Sequence, residues 1–141
     1  MKTVAEMIKL VFSLVPATRT ATTSSETVVD CAGHDNVCWV VGAGDLDLAS
    51  GNETYAAAVY ESDNSDGSSA SAITGASATL TADNQIAKIQ VNGLGTGSRK
   101  RYQFCRLTLG GTTPSMPGFA LAILSESRGS LNPVQAPDAN V

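Results

Sequence analysis

Three short stretches carry the residue types from which a site is most readily built. The first, Glu61-Ser62-Asp63-Asn64-Ser65-Asp66-Gly67, has Asp63 and Ser65 at the alternate spacing of the first oxygen ligands of a calcium loop of the EF-hand kind, with Gly67 one residue short of the position of the loop's glycine. Such a loop also needs a distal bidentate glutamate and flanking helices, and Ser68-Ser69-Ala70-Ser71-Ala72-Ile73-Thr74 supplies neither. Asp, Asn and Gly equally tolerate the left-handed backbone of a tight turn, so the stretch reads as the end of a strand and its turn. The segment from Gly44 to Glu53 reads the same way.

The second stretch, Gly93-Leu94-Gly95-Thr96-Gly97-Ser98-Arg99-Lys100, invites comparison with a phosphate-cradling loop. The P-loop pattern is absent, and the third glycine arrives one residue too early for the dinucleotide-binding spacing. A strand rather than a helix is expected after it, so no helix N-terminus would face the anion, and a flexible hairpin connection after Asn92-Gly93 is expected. The third is His34, the sole histidine, followed by Asp35. No nucleophile-elbow motif accompanies it, and Gly33-His34-Asp35-Asn36 is itself a turn signal. No catalytic, metal-binding or cofactor-binding residue is assigned. The glycosylation sequon at Asn52-Glu53-Thr54 matters only in a secretory pathway.

The elements that must position these residues are expected to be strands. A chain of 141 residues has the length of one domain, about 14 Å in radius of gyration when compact, and can bury a core without staples. Cys31, Cys38 and Cys105 are odd in number and show no metal-ligand spacing, so they read as reduced apolar packing residues. A net charge of −4 and a pI near 4.7 exclude the concentrated positive surface that nucleic acid requires. Charge is segregated: six acids and no Lys or Arg lie between Asp45 and Asp66, whereas Arg99, Lys100, Arg101 and Arg106 cluster later. Glu6 and Lys9 interrupt the apolar N-terminus, so no secretion signal or membrane span is expected there.

Val4, Met7, Ile8 and Val11 have helical spacing, so residues 1–15 are expected to form a short helix or an extended arm that Pro16 terminates. Beyond Pro16, runs rich in Val, Thr and aromatic residues alternate with Gly, Asn, Asp and Ser at roughly twelve-residue intervals, the rhythm of a sandwich or jelly roll. Strands are expected at about 16–23, 26–31, 36–42, 54–61, 69–75, 85–92, 100–109 and 116–125. Trp39, in an unbroken apolar run, is expected at the centre of the core. Ala87, Ile89 and Val91 alternate with Lys88 and Gln90, one buried face against one wet one. Apolar parity switches between Phe104 and Leu107, for which a β-bulge near Cys105 and Arg106 is the expected device. Gly118–Ser125 is apolar on both faces, placing it inside a sheet or at a subunit contact. Thr74–Asn84 is expected as a loop, and the proline-bearing residues 128–141 as an irregular tail.

Four stretches together resemble a family of small virion proteins of tailed bacteriophages, encoded among the head genes. They are Leu14 to Leu46, Tyr55 to Gly67, Ser98 to Leu109 and Gly118 to Ser127, with Glu61-Ser62-Asp63 and Lys100-Arg101-Tyr102 as the strongest motifs. The loop at 67–84 and the proline-rich tail depart from the family pattern. The resemblance implies an all-β, single-domain antiparallel β-sandwich of jelly-roll type, residues 16–127, with the N-terminal arm before it and the tail after it. It implies a non-enzymatic capsid decoration, or cement, protein that binds the outside of the head and stabilises contacts between major-capsid subunits. The alternative is a head fibre, connector or tail-associated module, glycan-binding in one form. The implied partners are the major capsid protein and further copies of this chain, a trimer being one arrangement, with no nucleic acid and no membrane. The location is the virion exterior, after synthesis in the host bacterial cytoplasm. Val4, Ile8, Val11 and Phe12, the basic residues Arg99, Lys100 and Arg101, and the small residues Ala120 and Ala122 are the candidate interface positions.

Overall fold

The computed structural model describes residues 7–126 together with 139 and 140. Its elements are β1 (Ile8–Arg19), β2 (Val29–Asp30), β3 (His34–Ala43), β4 (Thr54–Ser62), β5 (Ser71–Leu80), β6 (Ile86–Asn92), β7 (Tyr102–Gly110), β8 (Met116–Glu126) and β9 (Ala139–Asn140). They form two sheets, in the orders β1-β8-β3-β6-β9 and β2-β7-β4-β5, every pairing antiparallel except the short parallel contact of β9 with β6. The antiparallel pairs nest: β4 with β5, β3 with β6, β2 with β7, β1 with β8. The protein is an all-β sandwich.

Alternation explains which side of each strand closes the core. Val37, Trp39 and Val41 of β3 and Ala87, Ile89 and Val91 of β6 are buried, as are Ala120, Ala122 and Leu124 of β8. Tyr55, Ala57 and Val59 of β4 and Cys105, Leu107 and Leu109 of β7 face them from the second sheet. Strands of this composition hold their register because a one-residue slip would turn every buried side chain to water.

The structure departs from the sequence-based expectations in five places, the simplest being residues 20–28, expected in the strands 16–23 and 26–31 but outside any strand, so that the second of these shrinks to Val29–Asp30. Residues 8–15 are neither helix nor free arm; they belong to β1, and Pro16 does not end it. Register shifts between Phe12 and Leu14 and between Leu14 and Ala17 insert extra residues, and Pro16 sits in the second of them. A bulge leaves its extra residue outside the ladder, so a missing N–H costs nothing there. The carbonyls around it are collected by Arg19, whose guanidinium donates to Val15 O at 2.8 Å, Ala17 O at 3.0 Å and Gly118 O at 2.7 Å.

No bulge lies at Cys105 and Arg106: β7 pairs with β4 without interruption from Tyr102 to Gly110. Gln103, Cys105, Leu107 and Leu109 keep one parity into the core, and Phe104 is buried on the opposite face. There it stacks on Tyr60 at 5.5 Å, within reach of Val28 and Gly67. Residues 74–80, expected as loop, are most of β5; Ala76 and Leu80 turn inward, too small and too widely spaced to mark a strand by hydropathy. Finally, 93–101 is no hairpin but a crossing between sheets, because β6 pairs with β3 while β7 pairs with β4. The expected tail lies largely outside the described residues.

Candidate functional site

The charged stretches meet at one end of the sandwich and satisfy each other. Glu61 and Ser62 lie opposite Gln103 and Tyr102 across the β4–β7 ladder, which brings the acidic turn alongside the Arg99–Arg101 segment. Lys100 Nζ lies 3.1 Å from Asp63 Oδ2, its backbone N–H donates to Glu61 Oε2 at 3.1 Å, and Arg99 lies 3.8 Å from Glu61. Arg101 binds both oxygens of Asp30, Nε to Oδ1 at 2.8 Å and Nη2 to Oδ2 at 2.7 Å. That pair, with Ala32 N–H on Oδ1 at 3.0 Å, holds the Asp30 carboxyl down at about 2. The three basic candidates therefore have acidic partners in their own chain, two of them from the acidic run.

The turn itself is closed by its own side chains. Ser62 Oγ donates to Ser68 O at 2.6 Å, Asn64 Nδ2 donates to the same carbonyl at 3.1 Å, and Ser68 N–H donates to Asp66 Oδ1 at 2.9 Å. Gly67 takes φ +74°, and a Cβ there would stand 2.9 Å from Val28 Cγ2, so both conformation and space call for glycine. Among the described residues no three His, Cys, Asp or Glu side chains converge as a metal site would require.

His34 opens β3 beside a cleft of about 390 Å³, lined by Cys31, Asp35, Leu94, Arg99 and Arg101 among others. Its Nδ1–H donates to Ser125 O at 2.9 Å, a main-chain carbonyl that orients the ring but is no nucleophile. Burial pushes the thiols of Cys31 and Cys105 up to about 12, and raises that of Cys38, so none is poised as a thiolate.

The apolar candidates divide. Val4 lies outside the described residues. Ile8 pairs with Ser125 and is half-buried, and Val11 packs against the core. Ala120 and Ala122 are fully buried between the sheets, so neither touches another molecule while the sandwich is closed. The small residues serve the approach of β8 to its own core, which corrects their expected place at an interface. Phe12 remains: it is 42% exposed, and its ring stands perpendicular to that of Phe119 with the centroids 6.1 Å apart.

Phe12 belongs to a surface not foreseen as a unit, the outward face of the first sheet. Register places Leu10, Ile123, Cys38 and Gln90 in one row across β1, β8, β3 and β6, and Phe12, Leu121, Val40 and Lys88 in the next. A third row brings Phe119 over Gly42 toward Ile86, where a hollow of about 500 Å³ opens between Pro16, Pro117 and Phe119. A Cβ on Gly42 would run into the Phe119 ring, so that glycine is what lets the ring lie flat. At strand spacings of about 4.8 Å and 3.3 Å per residue the three rows span about 400 Å², of which the β6 column carries the polar Gln90 and Lys88 beside Ile86. Leu10 is 56% and Ile86 62% exposed at its margins. The other sheet differs: its outward Phe104 is covered, and Arg106 beside it lies over Tyr60 and pairs with Glu26 at 2.9 Å.

The sequence signal for this patch was present in Phe119, Leu121 and Ile123, whose parity is apolar although the other parity fills the core. Leu10, Val40 and Ile86 carry no such signal by themselves, because only strand order puts them beside β8. No protein-family model matches the chain, and no curated protein or solved structure is detectably similar to it.

Proposed function

We propose that this protein is a structural component of a bacteriophage virion, a decoration protein that docks on the outside of the head and clamps neighbouring capsid subunits. The observation that carries the reading is the bare apolar face of the first sheet. The apolar part of this face, on β1, β8 and β3 with Ile86, is a few hundred Å², the size of the largest patch on an ordinary monomer, which is often functional, and would form the centre of a contact of about 800 Å² per partner. The absence of acidic residues from its rows suits packing against another sheet or a broad capsid surface. We read the nested strand order as that of an eight-strand jelly roll, a fold used by viral capsid and lectin domains, which is support by analogy only. The resemblance of the Glu61-Ser62-Asp63 and Lys100-Arg101-Tyr102 motifs to the phage family points the same way.

Docking of this kind works by mass action. Ligand that binds the assembled head and not its disrupted form stabilises the head, and many copies acting together add avidity. The test is co-sedimentation of purified protein with expanded heads lacking it, followed by heating. Saturable binding at many copies and a raised disruption temperature are expected, both lost in a Leu10→Asp/Ile86→Asp variant that keeps its fold. Absence of binding by the unaltered protein overturns the reading and returns attention to a fibre, connector or glycan-binding role.

A further inference from the structure

We infer that the cleft beside His34 is a binding site for a neutral sugar, held by hydrogen bonds from Arg99 and to Asp35. The cleft, of about 390 Å³, lies between the turn into β3 and the crossing segment that brings Leu94, Gly95, Arg99 and Arg101 to its other wall. That is the small end of the range for ligand pockets, the size of a single sugar ring rather than a chain. Polar groups without hydrogen-bond partners converge on it. Arg99, its side chain 25% exposed, makes no hydrogen bond among the described residues, and Glu61 stands 3.8 Å from it, beyond hydrogen-bond distance. The Asp35 carboxylate likewise has no hydrogen bond among them; its Oδ1 lies against the backbone of Gly95, where a Cβ would run into it. His34 donates its Nδ1–H to Ser125 O, so the neutral ring keeps Nε2 as an acceptor. Arg101 uses Nε and Nη2 on Asp30 and keeps Nη1.

Charge balance and the mixture of donors and acceptors select the ligand. Arg99, Arg101 and Lys9, whose charge is felt at Asp30 and Cys31, stand against Asp30, Asp35 and Glu61, three against three. The cleft therefore has no surplus charge with which to hold a phosphate, a carboxylate or an ammonium ion. A sugar hydroxyl both donates and accepts. Neighbouring hydroxyls can take an Arg99 N–H while giving their protons to Asp35 or to His34 Nε2, and hydrogen bonds to charged groups are the strong ones. Cys31, Ala32 and Leu94 supply an apolar wall for the C–H groups of the ring. The walls are fixed in advance. Leu94 N–H donates to Asp35 O at 3.0 Å, and Thr96 Oγ1 and Ser98 Oγ close the loop on Gly93 O at 2.9 Å and 3.2 Å. A site already in shape loses less entropy on binding.

This inference does not rest on the capsid reading, and the test separates them. The full chain, isotope-labelled for NMR, is titrated with galactose, glucose, mannose and N-acetylglucosamine into the millimolar range, with inorganic phosphate and acetate as anionic controls. Saturable shifts are expected with at least one of the four sugars and with neither anion. They are confined to the amides of Cys31–Asp35 and Leu94–Arg101 and to the Arg99 Nε–H. Arg99→Gln and Asp35→Asn are each expected to weaken that binding about tenfold, the loss of one hydrogen bond to a charged group. Leu10→Asp/Ile86→Asp leaves it unchanged. Absence of a saturable shift with all four sugars, tighter binding of phosphate or acetate, or sugar binding that survives both substitutions overturns the inference. If one variant fails to fold, the other decides, and sugar-induced shifts of the unaltered protein that fall outside the cleft overturn the inference by themselves.

Discussion

At the scale of single residues, two ion pairs of similar length, the single-bonded Arg106–Glu26 and the two-bonded Arg101–Asp30, carry different weight. The Glu26 side chain is 4% exposed and that of Arg106 33%, so the pair lies largely out of water. Burial raises the Glu26 carboxyl, but the hydrogen bonds from Arg106 and Thr23 outweigh it and hold the group below its ordinary range. Removing the guanidinium leaves the carboxylate with Thr23 but without its cation, and Arg106→Ala is expected to cost about 2 kcal/mol in urea unfolding. Asp30 and Arg101 are instead about half exposed, which leaves their pairing open to screening by salt. Because the folded-state pKa of Asp30 lies at about 2, below an unfolded value of about 3.9, its contribution to stability is full above pH 4. That contribution is lost as pH falls toward 2. Asp30→Asn is expected to flatten this part of the acid-unfolding profile, and added salt to raise the Asp30 pKa followed by carboxyl NMR.

At the scale of elements, β1 shows how a bulge converts an awkward sequence into a strand. The first register shift turns Ser13 inward, where its Oγ accepts the Cys105 N–H at 3.1 Å and its carbonyl accepts the Thr27 N–H at 2.8 Å. These bonds tie the edge of one sheet to the other. Ser13→Ala leaves a buried N–H without an acceptor and is expected to cost about 2 kcal/mol in urea unfolding. Pro16→Ala, in the second bulge, is expected to stay within about 1 kcal/mol, the change arising in the unfolded chain. Helical spacing of Val4, Met7, Ile8 and Val11 was a weak signal because any four apolar residues in a short window fit more than one period. The pairing of Ile8 to Phe12 with β8 is tertiary, and it decided the matter.

At the scale of the whole molecule, the nested pairs join distant parts of the chain, so the sandwich is expected to unfold in one cooperative step. The first strand is part of that unit. Deletion of residues 1–15 removes most of β1 and leaves Ala120 and Ala122 of β8 without their neighbour. It is expected to abolish the thermal transition seen by circular dichroism, rather than to trim an arm and spare the fold. Partner binding is therefore better probed by Leu10→Asp than by truncation.

What the sequence by itself determined was the class of fold and the approximate positions of β3, β4, β6, β7 and β8, but not those of β1 and most of β5. Val37, Trp39 and Val41, or Ala87, Ile89 and Val91, announce a buried face through alternation, which is a local property. The turn at Ser62–Ser68 was legible for the same reason, since its residues bond to one another. Only the tertiary structure decided which of two apolar parities in β8 fills the core, because Ala120 and Leu124 on one side and Leu121 and Ile123 on the other are equally fit for burial. It also decided that Arg99, Lys100 and Arg101 are met by Glu61, Asp63 and Asp30, and that Leu10, Leu121, Val40 and Ile86 share one surface. Those relations depend on strand order, and strand order comes from contacts between residues far apart in the chain, which no local pattern encodes.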